Sequence, residues 1–395
     1  MDPESPPRAA RRFYYPQLDT LRFLAFAGVF ADHAYFETAG QWTARPAWYT
    51  PDWWIGSALI SGAFGVDLFF VLSSFLITSL LIQEIDTRGR LDVRAFWIRR
   101  LLRIWPLYFS FLLVAGLIQH VPWQSLILFG LFAGNWAALW YDSHPFVIGP
   151  LWSVSVEEQF YFAWPLVLAL VPRRRLPWVC VGLVACSLAV RSALLALGGT
   201  HHTIWVNTFA RLDPIAIGAL LGLGWHARHI ELGAAARWAL AAGGVVATVL
   251  SVGWLAYVLP HPPLPVSTPR GIVVIHFLSA LLIYPVVAVA CGAIILAFLT
   301  GHASRLAHPV LVYLGRISYG LYVFHLAALR TVPSLWWPWR LALAFLLTLL
   351  AAALSYRLLE QPFLRLKDRF AHVRSGAPQA VAAPASAEPT LSSSA

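Results

Sequence analysis

The sequence predicts an all-α, polytopic transmembrane helical bundle of about ten spans, with one additional re-entrant or interfacial segment. Three observations carry this. Charged residues make up only 12% of the 395 residues against 59% hydrophobic ones, and mean hydropathy is +0.67, whereas a soluble domain carries about 25% charge. Ten apolar stretches approach the ~20 residues that a helix needs to cross a bilayer. The 19 tryptophans and 13 tyrosines suit a protein with two membrane interfaces, where amphipathic rings settle at headgroup depth. Composition thus argues against a set of soluble domains. The net charge of +10 lies mostly in short loops, which points to an anionic leaflet and not to nucleic acid.

Taken in order, residues 1–13 are basic and proline-containing, and no short apolar stretch with a cleavage site follows them. They read as a disordered cytoplasmic tail before a retained first helix. The spans follow at 18–36, 57–84, 102–120, 152–171, 176–197, 208–226, 236–259, 271–299, 308–330 and 338–359, all within one membrane domain over 14–366. The shorter stretch 124–140 contains Gly130, Gly134 and Asn135. Residues 367–395, rich in Pro, Ala and Ser, read as a largely disordered cytoplasmic tail. Arg8, Arg11 and Arg12 place the N-terminus inside, and Arg88, Arg90, Arg94, Arg99, Arg100 and Arg103 mark the first inner loop. If 124–140 crossed fully, the Arg173-Arg174-Arg175 run would fall outside. A re-entrant or interfacial 124–140 keeps it inside, together with Arg365, Lys367, Arg369 and Arg374. Both termini are therefore expected in the cytoplasm and the chain in the inner (plasma) membrane. Cys180, Cys186 and Cys291 lie in apolar segments without metal-like spacing. They read as small core residues, and no metal is expected.

Polar groups inside a bilayer are costly, so each one needs a reason. In LDTLRFLAFAGVFADH, Arg22 and His33 are eleven residues apart. That is about three turns, so they share a face roughly 16 Å apart along the axis. Arg22 and His33 fit a snorkelling pair at the two interfaces. Equally, histidine is the usual general base near neutral pH. In GAFGVDLFFVLSSFLI, Asp67 and Ser74 share a face at seven-residue spacing, and Gly62 and Gly65 permit close packing. The basic run RAFWIRRLLRIWPLY reads either as a topology signal or as a cradle for an anionic cofactor, since arginine forks suit phosphates. In LWSVSVEEQFYFAWP, Ser153, Glu157 and Tyr161 share a face. Ser155 and Glu158 have capping-box spacing, which leaves Glu157 for chemistry or an ion pair. In LGRISYGLYVFH, Ser318, Tyr322 and His325 form a polar stripe expected to line an interior cavity. Glu360 in RLLEQPF reads as a partner for nearby arginines. Trp48, Trp53 and Trp54 read as interface-belt residues or as a sugar-stacking surface.

These six segments, in this order, resemble the acyltransferase-3 family. Arg22 and His33 match its Arg, ten residues, His signature. GVDLFFVLSSF resembles GVDxFFVLSGF, with Ser74 where glycine is usual. FWIRRLLRIWPLY resembles FYxRRxxRIxPxY, LWSVSVEEQFY is close to LWSLSVEEQFY, and LLEQPF resembles the closing ErPf element. RISYGLYVFH resembles RISYSLYLWH without the proline that commonly follows. The likeness spans about residues 14–366.

The resemblance implies acyl transfer from acetyl-CoA or another acyl-CoA, bound at the cytoplasmic face, to a hydroxyl of a cell-surface or lipid-linked glycan. Small secondary metabolites such as macrolides are the alternative acceptors. A transporter or flippase of lipid-linked sugars is the competing class, but the inverted repeats it would require are not found. The expected mechanism places the CoA phosphates near Arg99, Arg100 and Arg103. His33 takes the acceptor's proton, with Glu157 or Asp67 orienting the imidazole, and Arg22 contacts the cofactor or the developing negative charge.

Overall fold

The computed structural model describes residues 13–39, 51–141, 146–227, 230–258, 270–300, 307–333 and 336–370, with backbone alone at 38–39, 51–53, 227, 255–258, 270–276, 337 and 368. Its regular elements are all helical: α1 (Pro16–Ala39), α2 (Pro51–Ser61), α3 (Gly65–Arg88), α4 (Val93–Ile118), α5 (Trp123–Gly130), α6 (Gly134–Trp140), α7 (Leu151–Leu170), α8 (Leu176–Ala196), α9 (His201–Val206), α10 (Leu212–Ala227), α11 (Ala234–Val258), α12 (Arg270–Leu299), α13 (Pro309–Arg316), α14 (Ser318–Thr331), α15 (Trp337–Ser355) and α16 (Gln361–Lys367).

Among the described residues, six helices are long and apolar enough to cross a membrane, or seven if α13 and α14, bent by 72° at their junction, count as one broken span. The count is below the expected ten for physical reasons. Helix α1 carries Asp19, Arg22, Asp32 and Glu37, the Glu157-Glu158-Gln159 run lowers the hydropathy of α7, and α10 has only 16 residues. Helices occupy these positions, but they are the polar ones. Segment 124–140 folds as two short helices broken at Leu131–Ala133, where Phe132 has φ 54°. At 8 and 7 residues, each is only about 10–12 Å long, against ~30 Å of hydrocarbon.

Local chemistry sets the boundaries. Gly89 ends α3 in the left-handed conformation (φ 71°), its N–H donating to the Ile85 carbonyl at 2.8 Å, a stop that glycine adopts without a Cβ penalty. Three residues later Asp92 caps α4 by accepting from the Ala95 N–H at 2.9 Å. Helix α7 starts at Leu151 with Pro150 at its N-cap. Ser155 is therefore interior, bonding the Leu151 carbonyl and accepting from the Gly134 N–H, so the expected capping box does not form.

Helix α3 is the central strut. It packs along α10 on one side and against α1 on another, while α5, α6 and α14 gather around α4 and α7. A Cβ added at Gly62 would strike the Gly28 carbonyl, and one at Gly65 the Ala25 carbonyl, so the α2–α3 bend rests directly on the α1 backbone. Two apolar clusters fill the interior, one on the α4/α7/α14 side and one between α1, α3, α10 and α12. Cys180 and Cys291 are buried in them, whereas Cys186 is exposed. Trp54 is 44% exposed; Trp48 and the Trp53 side chain lie outside the described residues.

Candidate active site

Two polar groups on α1 anchor the site. His33 Nδ1 lies 2.8 Å from His325 Nε2 on α14, with the ring centroids 4.9 Å apart and the planes 29° from one another. His325 is 0% exposed, and its Nδ1 donates to the Tyr322 carbonyl at 2.6 Å. Phe26 meets the His325 ring edge-on at 6.1 Å. Tyr322 is itself fixed: its hydroxyl donates to the Pro150 carbonyl at 3.0 Å and bonds Ser153 Oγ at 2.7 Å. The α14 stripe and the Ser153 face of α7 therefore meet below the histidine pair.

Three turns before His33, Arg22 pairs with Asp19 at 2.8 Å, and Asp19 also accepts from the Tyr14 hydroxyl at 2.9 Å. Arg22, Arg100 and Arg103 stand within electrostatic reach of one another, and Arg22 and Arg100 within reach of Glu157. Arg100 and Arg103 follow each other by three residues on α4, hence on one face. Among the described residues neither has a carboxylate within 4.0 Å. The Arg100 guanidinium lies over the Tyr161 and Phe96 rings, 5.4 Å from each centroid, and cation–π attraction holds it there without neutralising it. Glu157 accepts from Ser73 Oγ at 3.0 Å and from the Tyr161 hydroxyl at 2.9 Å.

Arg100, Arg103, Glu157 and Tyr319 lie deep among the helices yet keep partial exposure, and Phe69 and Ser73 on α3 and Phe30 and His33 on α1 are half-buried. The α1/α4 arginine group lies at one end of α1, and the histidine pair lies toward its other end.

A family model for the acyltransferase domain, acyltransferase-3, matches residues 15–359. The chain belongs to the acyltransferase-3 family. It is 27% identical over 380 residues to a Staphylococcus aureus (strain COL) protein provisionally named an O-acetyltransferase, covering 89% of this chain and 57% of that protein. It is 29% identical over 377 residues to a Bacillus subtilis (strain 168) protein provisionally named a peptidoglycan O-acetyltransferase, covering 88% and 55%. A Listeria monocytogenes peptidoglycan O-acetyltransferase is 26% identical over 386 residues, covering 89% and 56%. The chain thus spans little more than half the length of these relatives. No solved structure matches it.

In this acyltransferase-3 chain several roles expected from the sequence change. Asp67 does not orient the imidazole: its carboxylate takes Arg211 Nη2 at 2.6 Å, both side chains being fully buried. Glu157 is held by Ser73 and Tyr161, so His325 is the ring partner that a carboxylate was expected to be. Ser74 does share a face with Asp67, but that face packs on α10. Its hydroxyl bonds the Phe70 and Val71 carbonyls of its own helix, and a Cβ on Gly218 would collide with it. The serine where the family pattern has glycine is thus accommodated by a glycine across the interface, and Ser73 is the one that bonds Glu157. Arg99 is occupied too, donating to Glu84 at 3.1 Å and to the Phe370 carbonyl at 2.8 Å. It is a strut that ties α4 to α3 and to the segment after α16. Ser318 is 5% exposed at the start of α14, a packed position next to the bend. Glu158 accepts from the Trp105 indole at 3.2 Å. Glu360 is within electrostatic reach of Arg103 without an ion-pair contact.

Residues that motif and spacing did not single out include Asp19, Ser73, Tyr319 and a buried charge quartet. In that quartet Arg191 bonds Asp213 at 2.5 Å beside the Asp67–Arg211 pair, and Arg211 stacks on Trp205 with its centre 4.3 Å from the ring centroid. Arg191 and Asp213 were findable as charges inside apolar runs. Their pairing was not, because it joins α8 to α10 across 22 positions.

Proposed function

We propose that the chain is an integral membrane O-acyltransferase, most simply an O-acetyltransferase, that carries an acyl group from cytoplasmic acyl-CoA to a hydroxyl of a cell-surface or lipid-linked glycan. What supports the reading is a histidine dyad about three turns along α1 from Arg22, which stands near Arg100 and Arg103, neither of them in an ion pair among the described residues; the half-buried residues between the two groups would line a cleft that joins them. Arg100 and Arg103 would take the donor's phosphates, with Arg22 above them near the thioester arm. Arg99 is left out because Glu84 already holds it. The acceptor oxygen loses its proton to His33 and bonds the thioester carbonyl carbon. The carbon–sulfur bond then breaks, and the proton passes from His33 to the departing thiolate, leaving an ester and free CoA thiol. The relatives named for peptidoglycan O-acetylation support a glycan acceptor, so glycan strands are the first acceptor to try. The basic end facing the cytoplasm follows from the positive-inside rule.

The test uses the purified full-length chain in nanodiscs with acetyl-labelled acetyl-CoA and peptidoglycan strands. Label should enter ester linkage, and His33→Ala should reduce transfer by at least ~10²–10⁴-fold while insertion and elution profile stay unchanged. Wild-type rates in His33→Ala would remove the histidine from the chemistry.

A further inference from the structure

We infer that His325 is a positioning residue that fixes the tautomer of His33 and thereby selects Nε2 as the basic nitrogen. The inference rests on the proposed acyl transfer from His33 and says which atom of that ring does the work.

Donors and acceptors give the pair a direction. A backbone carbonyl can only accept, so the 2.6 Å contact from His325 Nδ1 to the Tyr322 carbonyl puts a proton on Nδ1. In a neutral imidazole the other nitrogen is then an acceptor. The 2.8 Å contact between His325 Nε2 and His33 Nδ1 therefore has His33 donating. His33 keeps its own lone pair on Nε2. The two bonds form one directed chain, from His33 Nδ1–H to His325 and from His325 Nδ1–H to Tyr322.

That chain is held from below. Tyr322 is pinned through its hydroxyl to Ser153 and the Pro150 carbonyl. His325 has no exposed surface and Phe26 against its ring edge, so a ring flip that exchanged its nitrogens would break both bonds in a packed interior. A neutral orienter also differs physically from the carboxylate of serine-hydrolase triads. It sets tautomer and direction without adding a buried anion, so the imidazolium formed during transfer gains less stabilisation and gives its proton up more readily to the thiolate. The sequence pattern placed Ser318, Tyr322 and His325 on one face as cavity lining. The structure instead makes the backbone carbonyl of Tyr322, and not its polar head, the terminus of the relay.

The experiment compares wild type with His325→Gln, whose side-chain oxygen can still accept from His33 Nδ1–H, and with His325→Leu, which cannot. Steady-state acetyl transfer is measured in nanodiscs, and the tautomer of His33 is read from the ¹⁵N shifts of histidine-labelled protein, with His33→Gln identifying the signal. The wild-type ring should carry its proton on Nδ1. His325→Leu should lose kcat by about 10²–10⁴-fold, the scale of a wrong tautomer in a triad, with KM for acetyl-CoA within about twofold. His325→Gln should recover at least a tenth of wild-type kcat. A wild-type His33 protonated on Nε2, or equal losses in Gln and Leu, overturns the inference. A wild type that transfers nothing to any hydroxyl overturns the acyl-transfer reading instead, and the ¹⁵N shifts then decide the relay on their own.

Discussion

Asp67 is the residue whose role changes most between sequence and structure, and the two readings predict different failures. Its carboxylate and the Arg211 guanidinium are both fully buried at 2.6 Å. Replacing Asp67 with Leu leaves an uncompensated cation in an apolar interior, which costs about 3–5 kcal/mol, or roughly a hundred- to several-thousand-fold in the folded-to-unfolded ratio. Removing both charges, with Asp67→Leu and Arg211→Met together, should be nearly neutral, since swapping a buried pair for apolar groups often is. The neighbouring Arg191–Asp213 pair at 2.5 Å stays self-neutralised in either variant. The assay is thermal unfolding in detergent, followed by size-exclusion of a fluorescently tagged chain, with transfer activity normalised to the folded peak. The single variant should melt far lower, and the double variant should regain most of the loss. A single variant that melts like wild type yet transfers nothing would refute this reasoning and return Asp67 to the catalytic group.

Other variants separate the proposed site residues from packing residues. Arg100→Ala with Arg103→Ala should raise KM for acetyl-CoA more than tenfold with a smaller change in kcat, measured by initial rates, whereas Arg99→Ala should lower melting temperature because it leaves Glu84 buried without its partner. Ser74→Ala should keep activity and shift stability by less than about 1 kcal/mol, as its hydroxyl only bonds its own helix; Ser73→Ala should alter transfer because Glu157 loses a donor. Gly218→Ala should destabilise by about 1–3 kcal/mol through overpacking. Adding Ser74→Ala should not restore it, since the Val71 carbonyl also meets the new Cβ.

The helical class and many of the segment limits were legible because a chain rich in apolar stretches must satisfy its backbone groups within each helix, whereas 57–84 is divided between α2 and α3 and 102–120 begins at Val93. The count was less legible because the functional spans depart from that rule. Helix α1 carries Asp19, Arg22, Asp32 and Glu37 besides His33, and α14 is severed from α13 by a 72° bend. His33 and Arg22 were visible as charges without an apolar reason to exist. Their partners were not, since periodicity ranks faces but cannot say which neighbour each face meets. Asp67 and Ser74 show this well: their shared face was right, and its destination, α10, lies in a contact that no spacing rule contains. The Ser73-Ser74 choice illustrates the same limit at its finest grain, because one residue turns the side chain by about 100°.

The most direct measurement is vectorial transfer in sealed proteoliposomes carrying the full chain, with labelled acetyl-CoA added on the face that holds the α3–α4 loop and glycan strands trapped on the opposite side. Ester label is expected on the trapped strands, lost in His33→Ala and weakened when Arg100 and Arg103 are both replaced. Label that accumulates only when donor and acceptor share one side, or that crosses without His33, would contradict a cleft joining the arginines to the histidine pair.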